Sequence, residues 1–244
     1  MRLHILTRFA PAPTGFLHLG HVVNAIHVWG MARAAGGTVI LRIEDHDRQR
    51  SRKEYEAAIL EDLAWLGFSP DAPLVRQSGR DDIYLRALAA LRAQGRVYAC
   101  RCSRADVGEG VYPGTCRERG IVDDGRVGVR LRLDDSTERF DDLCHGPQAQ
   151  QPSAQCGDVL IRDREGNWTY QFAAALDDMV QGVTHVIRGD DLLDSTGRQI
   201  QIARLLGRTD PPRFLHHPLI MKTASQKLSK SDGDTGVRDL RAQG

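Results

Sequence analysis

The sequence predicts an α/β fold, a parallel sheet whose two halves are separated by an inserted subdomain. Three observations predict it. Short β-branched runs alternate with stretches of helical periodicity, the pattern that builds a parallel sheet with helices on its faces. Between residues 96 and 155 the character changes: four of the five cysteines fall there, among frequent turn residues and stretches rich in glycine, proline and glutamine. Helical and strand patterning then returns. The 244 residues allow one large domain with a sizeable insertion, and 41% hydrophobic content supplies a packed core.

Taken in order, Leu3 to Phe9 reads as a buried strand, stopped by Pro11 and Pro13, which cannot donate ladder hydrogen bonds. Gly15 permits a turn, and a helix opens near Leu19 and runs through Val22, Val23, Ile26 and Trp29. Thr38 to Ile43 is a β-branched strand ending in Glu44, Asp45, His46 and Asp47. Tyr55, Ile59, Leu63 and Leu66 give helical spacing over roughly 52–66, and another helix spans about 81–94. Beyond the insertion come a helix from Tyr170 through Asp178, a strand from Val183 to Arg188, a helix over about 195–206 and a final strand from Phe214 to Met221. The expected division is therefore 1–95, the insertion at 96–155, and 156–244. Ligands of such sheets sit beyond the carboxyl ends of the strands, and the chemistry-bearing residues gather at those ends.

Charge and targeting signals narrow the function classes. A net charge of +1 excludes a uniformly basic nucleic-acid coat, so any such contact is a local patch. Met1 to His4 leads straight into a strand with no signal-peptide pattern, and no apolar run approaches a membrane span. The expected compartment is the cytoplasm, where cysteines are thiols or metal ligands. Cys100, Cys102 and Cys116 lie close enough in sequence to favour tetrahedral zinc over free thiols. Cys144 and Cys156 read as ordinary thiols.

Two stretches about two hundred residues apart carry most of the chemistry. At the first strand–turn–helix junction, backbone N–H groups and the positive end of the helix dipole face an anion. His18 and His21 are placed to add donors to a phosphate there, and Gly20 lets a flat base or ribose approach the backbone. The alternative is two histidines satisfied at an ordinary helix start. The second stretch holds Lys222, Lys227 and Lys230, three of only four lysines in a chain with 33 basic residues. A solvated loop would follow the chain's habit of using arginine. A loop that must reach a phosphate favours lysine, a compact charge on a flexible stem. Together the two stretches point to joining a carboxylate to the α-phosphate of ATP.

Arg8 to Gly15 with His18-Leu19-Gly20-His21 resembles the HIGH region of class I aminoacyl-tRNA synthetases, and Lys227-Leu228-Ser229-Lys230-Ser231 resembles their KMSKS loop. Arg42-Ile43-Glu44-Asp45, Tyr170-Gln171-Phe172-Ala173 and His185 to Asp191 match the glutamyl branch. The resemblance implies a Rossmann-like nucleotide-binding sheet with a zinc-containing insertion. It implies ATP with magnesium, held by His18, Gly20, His21, Lys227 and Lys230, with His18, His21 and Lys230 catalytic. It implies L-glutamate bound by Arg8, Ala12, Glu44, Tyr170 and Arg188, although many relatives carry serine at position 12. Arg188 pairing with Asp190 or Asp191, and Glu44 in a surface salt bridge, are the ordinary alternatives. The chain ends thirteen residues after Ser231, in what reads as an interrupted helix, where the glutamyl enzymes continue into an anticodon-binding domain. In that it is similar to the free-standing paralogues that place glutamate on the queuosine of tRNA(Asp) without using tRNA for activation. Those paralogues have a Cys-x-Cys…Tyr-x-x-x-Cys zinc site, so the resemblance adds Tyr112 as a fourth structural ligand. A monomer is expected. The competing readings are a catalytic fragment that charges the 3′ end of tRNA(Glu), a nucleotidyltransferase without amino-acid activation, and a non-catalytic tRNA-binding module.

Overall fold

The computed structural model describes residues 4–108, 110–221 and 236–243. The first part contains β1 (Leu6–Phe9), α1 (Leu19–Ala34), β2 (Thr38–Ile43), α2 (Lys53–Trp65), β3 (Val75–Arg76) and α3 (Asp81–Ala93). The middle supplies β4 (Val97–Cys100), α4 (Arg104–Val107), β5 (Gly128–Leu131), β6 (Glu138–Asp142), β7 (Gly146–Gln150), α5 (Pro152–Cys156) and β8 (Val159–Arg162). Last come α6 (Tyr170–Val180), β9 (His185–Gly189), α7 (Thr196–Leu205), β10 (Arg213–His217) and α8 (Val237–Gln243).

β1 pairs in parallel with β2, and β2 with β3. β10 pairs in parallel with β9. The two groups meet at β1 and β9, where the Thr184 N–H donates to the Leu6 carbonyl (2.9 Å) and the Leu6 N–H to Thr184 Oγ1 (2.9 Å). The resulting order, β3-β2-β1-β9-β10, is that of a doubly wound sheet, whose crevice opens where the order reverses, beyond the ends of β1 and β9. β1 and β2 are buried almost throughout, as parallel strands with helices over them must be. Ala25, Val28, Trp29 and Ala32 of α1 and Ile59 and Leu63 of α2 pack against Phe9, Val39, Leu41 and Ile43.

The parallel sheet and its helices fall where the sequence places them, with two differences. The strand expected over 214–221 ends at His217, because Pro218 has no N–H to continue the ladder. Strand partners also cross the expected boundary at 155. β8 joins β4 and β5 in a separate antiparallel sheet, whereas the β6–β7 hairpin, within 96–155, extends the β9–β10 sheet through β6 beside β10. Strands of four or five residues show a pattern of faces but carry no signal of which edge they will meet. α8 returns to the start of α1: the Val237 N–H donates to the Leu17 carbonyl (3.0 Å), and Arg238 pairs with Glu61 (2.8 Å).

Asp177 of α6 is fully buried and accepts hydrogen bonds from Gln77 Nε2 (2.8 Å), Arg80 Nε (2.7 Å) and Tyr84 Oη (2.8 Å). It thereby joins α6 to the start of α3. Asp177→Ala strands all three donors, and losing one partner of a buried ionic group costs about 3–5 kcal/mol. Urea denaturation should show a lowered midpoint with an unchanged slope. A loss below about 1 kcal/mol would mean that water replaces the carboxylate at no cost.

Candidate functional site

The floor of the crevice is a chain of buried charges. Arg8, at the end of β1, donates Nε to Asp178 Oδ1 (2.9 Å). Arg42, fully buried in β2, donates Nη1 to the same oxygen (2.8 Å) and to Gln181 Oε1 (2.8 Å). Burial alone would raise the Asp178 carboxyl, but Arg8 and Arg42 hold it below its ordinary range. Glu44 follows β2, and its N–H donates to the Pro11 carbonyl (3.0 Å), so the proline turn after β1 also fixes this carboxylate. Glu44 is buried, 3.8 Å from Arg42, and is not a surface salt bridge. Burial pushes its carboxyl above the ordinary value, although Arg42, His46 and Arg8 pull the other way.

Arg188 enters from β9 and is 3% exposed. Nε donates to His216 (3.0 Å), Nη1 to Gln199 Oε1 (2.6 Å) and, weakly, to Tyr170 Oη (3.4 Å). Nη2 donates to Thr196 Oγ1 (2.8 Å) and the Leu192 carbonyl (3.3 Å). Every one of these acceptors is neutral. Asp190 instead accepts from His145 (2.8 Å), so the expected alternative, Arg188 paired with it, is not what forms. Burial lowers the Arg188 guanidinium from its ordinary value. Among the described residues it has no direct carboxylate partner, and a buried cation so placed favours an anionic ligand.

At the start of α1 the two histidines cap the helix. His18 Nδ1 accepts from the Gly20 N–H (3.0 Å), and the His18 N–H donates to His21 Nδ1 (3.2 Å). Because both Nδ1 atoms accept, each neutral ring carries its proton on Nε2. A Cβ on Gly20 would lie 2.8 Å from His18 Cε1, so the glycine makes room for the capping ring. Ala12 lies in the proline turn, its carbonyl accepting from the Thr14 N–H (2.8 Å). Lys227 and Lys230 lie outside the described residues.

A second cluster lies in the middle segment. The sulfurs of Cys100, Cys102 and Cys116 all lie within 4.8 Å of one another. Tetrahedral zinc, with bonds of about 2.3 Å, sets sulfurs roughly 3.8 Å apart, so the donor set fits. Tyr112 Oη lies 3.4 Å from Cys100 Sγ and 4.0 Å from Cys102 Sγ. Its backbone pairs with Gly157, which has φ of +67° and where a Cβ would come within 2.1 Å of the Tyr112 carbonyl oxygen. Only glycine fits this contact. Arg130 covers the Tyr112 ring at 3.6 Å and donates Nε to Cys100 Sγ (3.4 Å), placing positive charge beside the sulfurs. Burial raises Cys102 to about 11. Cys116 falls to about 7 despite burial, through hydrogen bonds from the Arg101 backbone, Cys102 and Tyr112.

The structure thus brings Arg8, Glu44, Tyr170 and Arg188 to one crevice and the four donors of the middle segment to another point. Reading the sequence missed Arg42, Asp178, His216 and Gln199, which hold the crevice residues. The available signal was charge inside apolar runs: Arg42 within Thr-Val-Ile-Leu-Arg-Ile, and Asp177-Asp178 after Ala-Ala-Ala-Leu.

The family model for class I tRNA synthetases (E and Q), catalytic domain, matches residues 4–110 and 116–244. A glutamyl-Q tRNA(Asp) synthetase of Rhodobacter capsulatus is 40% identical over 267 residues, covering 98% of this chain and 96% of that protein. The protein of the same name from Pseudomonas fluorescens is 45% identical over 226 residues, covering 92% of this chain and 75% of its own length. Among solved structures, a glutamate tRNA ligase from Elizabethkingia meningosepticum, in complex with its amino acid, superposes with a TM-score of 0.80 at 31% identity. That match covers 94% of this chain and 52% of the ligase, so the chain spans about half the length of that structure.

Glu44 gives a pH-dependent expectation. Its raised value means that the neutral form stabilises the fold below the ordinary 4.5 and that this contribution is lost as pH rises through the folded value. Glu44→Gln should therefore raise the melting temperature at neutral pH, and the difference should close as the pH falls to about 4. A lower melting temperature of the variant at neutral pH would show that Arg42 and Arg8 outweigh burial.

Proposed function

The chain belongs to the class I tRNA synthetases of the E and Q type, and we propose that it activates L-glutamate with ATP, without tRNA, and transfers the glutamate to the queuosine of tRNA(Asp). The observation that carries this reading is the charge inventory of the crevice: two buried guanidiniums, Arg8 and Arg188, with the buried Glu44 carboxylate. That set complements a ligand with two carboxylates and one ammonium. Arg8 and Arg188 supply positive charge for the carboxylates, Glu44 takes the ammonium, and the Tyr170 hydroxyl adds a hydrogen bond. The glutamate α-carboxylate then attacks the α-phosphorus, and pyrophosphate leaves. Positioning and charge dominate such a transfer: His18 and His21 add donors to the phosphates, Gly20 lets the base or ribose approach the backbone, and Lys227 and Lys230 supply positive charge. Magnesium, arriving with ATP, would supply charge to offset that of the pyrophosphate. In the second step a hydroxyl of the queuosine cyclopentenediol attacks the glutamyl carbonyl, and AMP leaves.

The names of the Rhodobacter and Pseudomonas relatives favour this acceptor. Likeness to a glutamate tRNA ligase favours the second reading, transfer to the 3′ end of tRNA(Glu). Glutamate-dependent ATP–pyrophosphate exchange without tRNA tests the first step. Transfer to tRNA(Asp) with and without queuosine, on tRNA whose 3′-terminal adenosine has been removed, separates the acceptors. Labelled glutamate that survives only on an intact 3′ adenosine of tRNA(Glu) overturns the queuosine reading.

Zinc on Cys100, Cys102, Cys116 and Tyr112 belongs to the same proposal. With four protein donors it is structural and leaves no open position. Cys100→Ser should lose the metal together with local order. Tyr112→Phe should weaken binding while the three thiolates remain. About one zinc per chain by metal analysis is the expected result, and its absence from protein prepared without chelator counts against the site.

A further inference from the structure

We propose that Asp142 and His216 are positioning residues, which hold the Arg188 guanidinium ready for an incoming carboxylate. The part played by Arg188 rests on the function proposed above. The geometry is a three-member chain from adjacent strands, β6, β10 and β9. Arg188 Nε donates to His216 Nε2 (3.0 Å), and His216 Nδ1 meets Asp142 Oδ2 at 2.6 Å. An arginine can only donate, so His216 Nε2 accepts, and the proton of the neutral ring sits on Nδ1, directed at Asp142. Asp142 is itself fixed by backbone groups: Oδ2 accepts from the His216 N–H (3.1 Å), and Oδ1 from the N–H groups of Cys144 (2.9 Å) and His145 (3.0 Å). All three side chains are at most 3% exposed.

The imidazole between the charges has a physical use. A carboxylate directly on Arg188 would neutralise the cation and compete with an anionic ligand. With a neutral ring between them, Asp142 fixes the plane of the fork through its Nε edge and leaves the charge to act on the crevice. Thr196 and Gln199 hold the other two nitrogens, and Gln199 is oriented in turn by Gln171 (2.9 Å). Burial, and then the Arg188 charge, push the His216 imidazole down to about 4, so the ring stays neutral at working pH. The β6–β7 hairpin thereby serves the crevice, because it brings Asp142 to β10 at the register Phe214 to Asp142.

Three variants test the assignment. His216→Phe keeps a ring but removes both nitrogens, and His216→Gln restores an acceptor and a donor. Asp142→Asn puts an amide N–H where the carboxylate accepted, which drives the ring proton to Nε2 and against the Arg188 Nε–H. In glutamate-dependent ATP–pyrophosphate exchange, His216→Phe and Asp142→Asn should raise KM for glutamate by about tenfold to a hundredfold, with KM for ATP changed by less than about twofold and His216→Gln largely restored. Nitrogen-15 NMR of the imidazole should show a neutral, Nδ1-protonated ring in the wild type and an Nε2-protonated ring in Asp142→Asn. Equal losses for glutamate and ATP, or an Nε2-protonated or charged ring in the wild type, overturn the assignment. Should His216→Phe fail to fold, the other two variants carry the test. Absence of glutamate-dependent exchange in the wild type overturns the proposed function, and the NMR result then decides the positioning chain: a proton that moves in Asp142→Asn supports it, and one that stays overturns it.

Discussion

The crevice depends on one buried carboxylate. Asp178 Oδ1 accepts from both Arg8 and Arg42, and through it α6 is fastened to β1 and β2. Removing an arginine charge from water is costly unless it is paired with good geometry. Arg42 also faces Glu44 at 3.8 Å and Asp177 at 4.0 Å, so the two guanidiniums share a set of buried carboxylates. The sheet thus closes around a paired ionic floor, and Arg188 beside it is held by neutral acceptors.

Arg8 and Arg188 are held in different ways. Arg8 is bound to Asp178 and gives the floor its rigidity. Arg188 is surrounded by neutral acceptors that occupy its donors while leaving its charge. The difference follows from topology. Arg8 ends the first strand and faces α6, which carries Asp178, whereas Arg188 ends the strand beside it and faces α7, which offers Thr196 and Gln199. Reversal of strand order between β1 and β9 puts both side chains at one crevice.

The cysteine cluster shows the same division between donors and supports. The cysteines lie on β4 and the turns after it, but Tyr112 is set by a tight backbone contact with Gly157, more than forty residues away, and Arg130 of β5 covers its ring. Asp158, next to that glycine, accepts from Tyr98 (2.6 Å) and from Arg117 through Nε and Nη2 (2.8 and 2.9 Å). A structural metal among these donors would be supported by side chains from both ends of the middle segment.

Taken alone, the sequence determined the parallel α/β frame and the positions of nearly all its helices, and it singled out candidate residues for the chemistry. Those are local signals: apolar spacing, prolines after β1, lysines in an arginine-rich chain, cysteines close together. It did not determine which strands share an edge, so β8 and the β6–β7 hairpin fell on the unexpected sides of residue 155. It also left open whether His18 and His21 meet a phosphate or cap their own helix, and only the structure shows both Nδ1 atoms in cap bonds. Least legible were the supports, Asp178, His216 and Gln199, because each lies far in sequence from the arginine it holds or follows it in an ordinary helix. Tertiary structure alone decided those pairings. A buried charge finds its partner through packing of distant elements, and no periodicity along the chain records that distance.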